Sequence, residues 1–161
     1  MNMNSECSNQ AVVITGMGAV TPYGSGVETL WQSLLDGVSA ISDMNLFDLG
    51  GIACTRAGVI RGFTPPPGFE RAPRASGFAA AACREALLQA GLLEDPAALE
   101  ATALITASNF AGIGAAEAAL TPCGHPGFDA SAAVHCAHAA PAAAIAAAFG
   151  LGGPRLPLSL S

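Results

Sequence analysis

A chain of 161 residues is about the size of one domain, so one hydrophobic core, or part of one, is the expectation. It is 52% hydrophobic and 11% charged, which is too apolar for a disordered chain and sparse in charge for a free-standing soluble domain, so buried partner surface is expected. A net charge of −6 with only six Lys and Arg leaves little to neutralise a phosphate backbone or an anionic membrane surface, which argues against both as partners.

Taken in chain order, the first ten residues have neither a basic start nor an apolar run before a small-residue cleavage site, so they do not read as a signal peptide, and a cytoplasmic location follows. Ala11 to Thr15 is a short β-branched run ending at Gly16, the pattern of a buried strand in a parallel sheet. A loop punctuated by Gly and Pro follows. Val27, Leu30, Trp31, Leu34 and Leu35 then recur at helical spacing, with Gly37 where such a helix would stop. Residues 39–68 mix short apolar runs such as Ala57 to Ile60 with loop chemistry and close on Pro65, Pro66 and Pro67, so they read as an excursion. From Arg74 to Ala90 helix formers dominate up to Gly91. Thr102 to Ser108 reads as a second buried strand, Gly112 to Leu120 as a helical patch, Ala130 to Phe149 as a long alanine helix and Leu156 to Ser161 as a last strand. Strands alternating with helices predict an α/β protein with a parallel or mixed sheet.

The span 130–149 is apolar for nearly the thickness of a bilayer, but its alanine content, His135, His138 and Pro141 argue against a membrane helix. Five cysteines, an odd number with no CxxC pair, point to reduced thiols rather than a disulfide framework. Cys123, His125, His135, Cys136 and His138 form the one cluster with metal-ligand chemistry, yet no clean ligand pair accompanies the i, i+3 histidines, and no metal is expected. Asp129 is the only nearby acid that could orient a Cys-His pair. Gly16, Gly18 and Thr21 give GxGxxT, with Pro22 following and the third glycine of a dinucleotide loop missing, so no nucleotide cofactor is expected.

Read together, VVITGMGAVTPYGSGVETLWQSLLDGVSAI resembles the opening of the β-ketoacyl-acyl carrier protein synthases, condensing enzymes of the thiolase-like fold. Thr15, Gly16, Gly18, Pro22, Gly24, Trp31, Gly37, Ser39 and Ile41 all fit the family's TGxGxxxPxG strand-loop, tryptophan helix and GxSxI turn. AGVIRGF and GLGGPRLPLSLS are similar to two further family segments, so the resemblance covers nearly the whole chain from Ala11. It implies a layered, thiolase-like α/β fold, here an incomplete N-terminal half with a mostly parallel or mixed sheet. Residues 1–10 would be a flexible tail and residues 11–161 a truncated N-terminal domain.

The implied function is Claisen condensation of an acyl thioester with malonyl-carrier protein in fatty acid or polyketide synthesis. Acyl carrier protein and a ketosynthase-type subunit, in a homo- or heterodimer, are the implied partners, and no cofactor is implied. In the family the last strand delivers a nucleophilic cysteine into a helix N-terminus, where dipole and backbone N–H groups favour thiolate and oxyanion. That cysteine would be the residue after Ser161, and the family's two histidines and lysine belong to the second half of the fold. No catalytic role passes to His125, His135 or His138, and the chain alone is expected to be inactive. ASNFAGIG aligns with the loop that gates the acyl pocket, which places Phe110 at the gate and Ile113 beside it. The alternative is a noncatalytic partner subunit like the chain-length factors, which share the fold and lack the cysteine.

Overall fold

The computed structural model describes residues 11–109, 113, 137 and 139–158. Among these, the elements run β1 (Val20–Thr21), β2 (Gly24–Ser25), α1 (Val27–Leu35), β3 (Ile41–Asp43), β4 (Arg56–Gly58), α2 (Arg74–Gln89), α3 (Pro96–Ala101), β5 (Leu104–Ala107), α4 (Ala140–Phe149) and β6 (Arg155–Leu158). The strands pair two by two: β1 with β2 and β3 with β4 antiparallel, β5 with β6 parallel. The register sets Leu104 opposite Arg155 and Ala107 opposite Leu158.

The core sits between α2, α3, α4 and the β5–β6 pair. Phe69, Ala80, Leu87, Leu99, Ile145, Ala146 and Leu151 form one buried cluster, with Leu104 of β5 and Cys83 of α2 packed against it. Small residues make this layer possible: Ala80 and Ala146 are 0% and 1% exposed, so α2 and α4 meet with little side chain between them. Caps fix the start of α3 and the end of α4 within this unit. The side chain of Asp95 accepts from the Ala98 N–H at 3.0 Å, and Pro96 opens α3 in the first turn, where its missing N–H costs nothing. Gly150 closes α4 in the left-handed conformation, φ 69°.

Three sequence expectations need correction. Residues 11–15 form no ladder, and Val12, Val13 and Ile14 are 100%, 70% and 82% exposed. β-branched residues suit a strand only where neighbours cover them, and no described strand lies alongside. The alanine helix begins at Ala140 rather than Ala130 as far as the described residues show, because Ala137 and Ala139 lie in a bend and a turn. Pro141 therefore falls in the first turn instead of mid-helix, the position that avoids its clash with a preceding carbonyl. Finally, the strand read at Thr102 to Ser108 as buried is β5, and it is not buried: Leu104 and Thr106 are half-buried and Ile105 is 66% exposed, since among the described residues one face of the pair is left uncovered. The helical patch at 112–120 and the Cys/His cluster at 123–138, apart from residues 113 and 137, lie outside the described residues, as does the tail 1–10.

The excursion at 39–68 is the β3–β4 hairpin and its continuation onto α2. Arg61 donates to the Asn45 side chain at 2.6 Å and to the Asp43 carbonyl at 2.7 Å, and Arg74 donates to the Ile60 carbonyl at 2.7 Å. The Arg56–Asp43 pair, 3.8 Å apart and well solvated, adds little. Phe63 meets Phe78 edge to face at 4.7 Å, and Arg74 stacks on the same Phe78 ring.

Candidate functional site

The Gly-rich loop that invites a nucleotide reading has a packing role. Gly16 and Gly18 lie against α2 so closely that a Cβ on either would collide with the carbonyl oxygen of Ala86 or Ala82. With the backbone this near, two α2 side chains reach it. Gln89 Oε1 accepts from the Met17 N–H at 2.6 Å, and Glu85 accepts from Ala19 N–H at 3.0 Å and Val27 N–H at 2.8 Å. Val27 is the first residue of α1, whose N-cap Gly26 has no side chain to offer, so Glu85 supplies the acceptor from another helix. A carboxylate at this N-terminus also suits the helix dipole.

A concave feature lies elsewhere, at the carboxyl ends of β5 and β6, where open α/β sheets commonly bind ligands. It is a hollow of about 160 Å³. Ala75 and Ala79 of α2 form one wall and Pro141 and Ile145 of α4 the other, while Thr106, Ala107, Ser108 and Leu158 border it from the strand ends. Parallel pairing puts these strand ends at one level: the Ser108 N–H donates to the Leu158 carbonyl at 3.1 Å. Six of the eight lining residues are aliphatic, Thr106 and Ser108 are the other two, and none is ionisable, so the hollow suits an uncharged, mainly apolar group.

Of the two residues placed at an acyl gate, Phe110 lies outside the described residues, and Ile113 is 58% exposed and not among the residues lining the hollow. The hollow itself escapes sequence reasoning because two alanines of α2 form one of its walls, and nothing marks one alanine from another until the helices are packed. Among the described residues no group of His, Cys, Asp and Glu could hold a metal ion. No helix among them is long and apolar enough to cross a membrane. Cys54 is exposed, whereas burial pushes the Cys83 thiol up, which keeps it protonated and a poor nucleophile.

An α/β unit with helices against a parallel strand pair, and a hollow at the strand ends, is the setting of a thiolase-like fold, and the solved structures of that class agree. The chain superposes on the ishigamide ketosynthase/chain length factor with a TM-score of 0.70 at 26% identity, covering 92% of this chain and 39% of that one. A type II polyketide synthase ketosynthase in complex with its acyl-carrier protein gives 0.71 at 20% identity, over 92% and 37%. Residues 9–159 match the family described as β-ketoacyl synthase, N-terminal domain, and the chain belongs to that family. Among curated relatives, 3-oxoacyl-[acyl-carrier-protein] synthase 2 of Staphylococcus aureus (strain COL) is 35% identical over 89 residues, which is 52% of this chain and 22% of that protein. The chain thus spans well under half the length of the relatives it matches.

Proposed function

We propose that this chain serves as the front portion of a 3-oxoacyl-[acyl-carrier-protein] synthase, which joins an acyl thioester to a malonyl group on a carrier protein with loss of carbon dioxide. The family match over residues 9–159 carries this reading. In it, the chain contributes scaffold and acyl-binding surface, while the nucleophilic cysteine, the two histidines and the lysine come from sequence after Ser161. Acyl carrier protein is the substrate-bearing partner and a second ketosynthase-type subunit the structural one, in the cytoplasm. In this reading the activated nucleophile and the oxyanion donors that the reaction needs belong to the rest of the protein. Purified chain mixed with acyl- and malonyl-carrier protein should therefore give no condensation product by mass spectrometry. Turnover that persists through repurification would overturn that division of labour.

A second reading, a noncatalytic partner subunit, is favoured by the structural match to a ketosynthase/chain length factor. The codon after that for Ser161 separates the two: cysteine supports the enzyme, glutamine the partner. We assign Phe110 to the acyl gate on its place after β5 and its bulk, with Ile113 beside it. Phe110→Ala, made in the protein extended past Ser161, should stay folded and shift acyl-chain preference. An ordinary core Phe would instead cost about 3 to 5 kcal/mol on truncation and take solubility with it. A normal melt with an unchanged chain-length profile removes the gate assignment.

A further inference from the structure

We propose that the outer face of α1 is a docking surface for an amphipathic helix of another polypeptide, one whose apolar face is bordered by lysine or arginine. Trp31, Leu34 and Leu35 stand three and four residues apart and are each more than half exposed, so they make one apolar stripe along the helix. A stripe at this spacing is the pattern that a second helix packs against. The row Glu28, Gln32, Asp36 runs beside the row Trp31, Leu35, so one border of the stripe is anionic. No Lys or Arg precedes Arg56 in the chain, and the opening region therefore has nothing to offset that charge. A cationic border on the partner is what complements it.

The stripe is held in place rather than left to fray. At its start the Val27 N–H donates to Glu85 at 2.8 Å. At its end the N–H groups of Gly37 and Val38 donate to the Leu34 and Ser33 carbonyls, both at 3.2 Å, around Gly37 at φ 65°. The Tyr23 hydroxyl adds a bond of 2.7 Å to the Val38 carbonyl. A helix fixed at both ends loses little freedom when a partner lands on it, which is the property of a preformed binding face. Among the described residues, a second copy of this chain offers no matching helix. Two α1 stripes would oppose their acidic rows, α3 and α4 carry no cation, and the outer face of α2 presents one large apolar side chain, Leu88.

The test reads Trp31, the only tryptophan, while the full 161-residue chain is titrated with two tryptophan-free peptides. Both have about 14 residues with leucine on one face, enough to form a helix once docked, and they differ in having lysine or glutamate on the other. The lysine peptide should move the indole emission to the blue and shield it from acrylamide. It should bind about tenfold more tightly than the glutamate peptide at low salt, and the gap should close in about 1 M salt. Leu35→Gln should weaken both peptides about tenfold with an unchanged circular-dichroism spectrum, since a side chain this exposed carries little of the fold. Glu28→Gln should weaken the lysine peptide alone, by about threefold. Ile105→Asn, on the exposed apolar face of the β5–β6 pair, should change neither. Equal affinity for the two peptides, emission that the lysine peptide leaves unmoved, binding that Leu35→Gln or Glu28→Gln spares, or binding lost in Ile105→Asn would each overturn the proposal. So would emission that turns blue as the chain alone is concentrated, because a second copy would then take the face.

Discussion

The α2–α3–β5–α4–β6 unit and the opening region that runs from residue 11 through α1 obey opposite rules. The first buries an apolar cluster, with Ile145, Ala146 and Leu151 all 3% exposed or less, even though Leu88, Ile105 and Leu156 stay exposed on its outer faces. The second has no residue in that cluster. α1 has no buried residue, and Trp31, Leu34 and Leu35 are 55%, 55% and 62% exposed. Both regions are rich in apolar side chains, so hydrophobicity alone does not say which will be covered. What differs is the means of attachment. The first region is held by side chains packed on side chains, and the second by backbone N–H groups hydrogen-bonded to Gln89 and Glu85.

The largest expected effect lies in the packed unit. Ile145→Ala removes a side chain that is 2% exposed, between α2 and the sheet, and should cost about 2 to 5 kcal/mol. Denaturant melts of the two proteins would measure it. A loss below about 1 kcal/mol would mean that the helices close over the gap and that the contrast between the regions is smaller than drawn.

The attachment of the opening region comes next. Gly18→Ala would drive a methyl group into the Ala82 carbonyl, and the loop must lift from α2 to relieve it, at about 1 to 3 kcal/mol. Glu85→Ala leaves the N–H groups of Ala19 and Val27 without their acceptor and should cost about 1 to 3 kcal/mol. Amide hydrogen exchange distinguishes these from a general loosening. In both variants Ala19 and Val27 should exchange faster, whereas amides of α4 should slow or quicken only with global stability. Equal acceleration in the two regions would show that they unfold as one unit and would break the comparison.

How far the sequence foretells this follows from the same division. α1 is legible from its periodic apolar residues and α2 from its run of helix formers up to Gly91, all local features; α1 spans Val27–Leu35 as read, and α2 spans Arg74–Gln89, one residue short of the reading to Ala90. Strand β5 is legible because Leu104, Ile105 and Thr106 make a short apolar, β-branched run. Residues 11–15 mislead because a β-branched run signals a strand only when a neighbour pairs with it, a fact about another part of the chain. The start of α4 misleads because alanine gives no end signal, and only Pro141 marks the first turn. Glu85 is invisible as a cap because its partners lie 66 and 58 residues away. The family motif identifies the glycines, but their closeness to α2 explains why they are glycines.

The smallest expected effect on stability belongs to α1, where Trp31 provides its own reporter. It is the only tryptophan in the chain, so intrinsic indole emission reads one site. A side chain 55% exposed, on a helix with no buried residue, has little burial to lose. Trp31→Ala also trades a moderate helix former for the best one, which gains about 0.5 kcal/mol at most. The substitution should therefore change stability by no more than about 0.5 kcal/mol, several-fold less than Ile145→Ala. In the unaltered chain the emission should be that of a wet indole, quenched freely by acrylamide and little shifted by denaturant. Binding of a hydrophobic dye should fall when the α1 face is made polar by Leu34→Gln, while the indole emission stays as it was. Blue-shifted, protected emission in dilute chain would mean that this face is covered in solution. The opening region would then be packed like the rest, and the contrast between a buried and a displayed apolar surface would no longer hold.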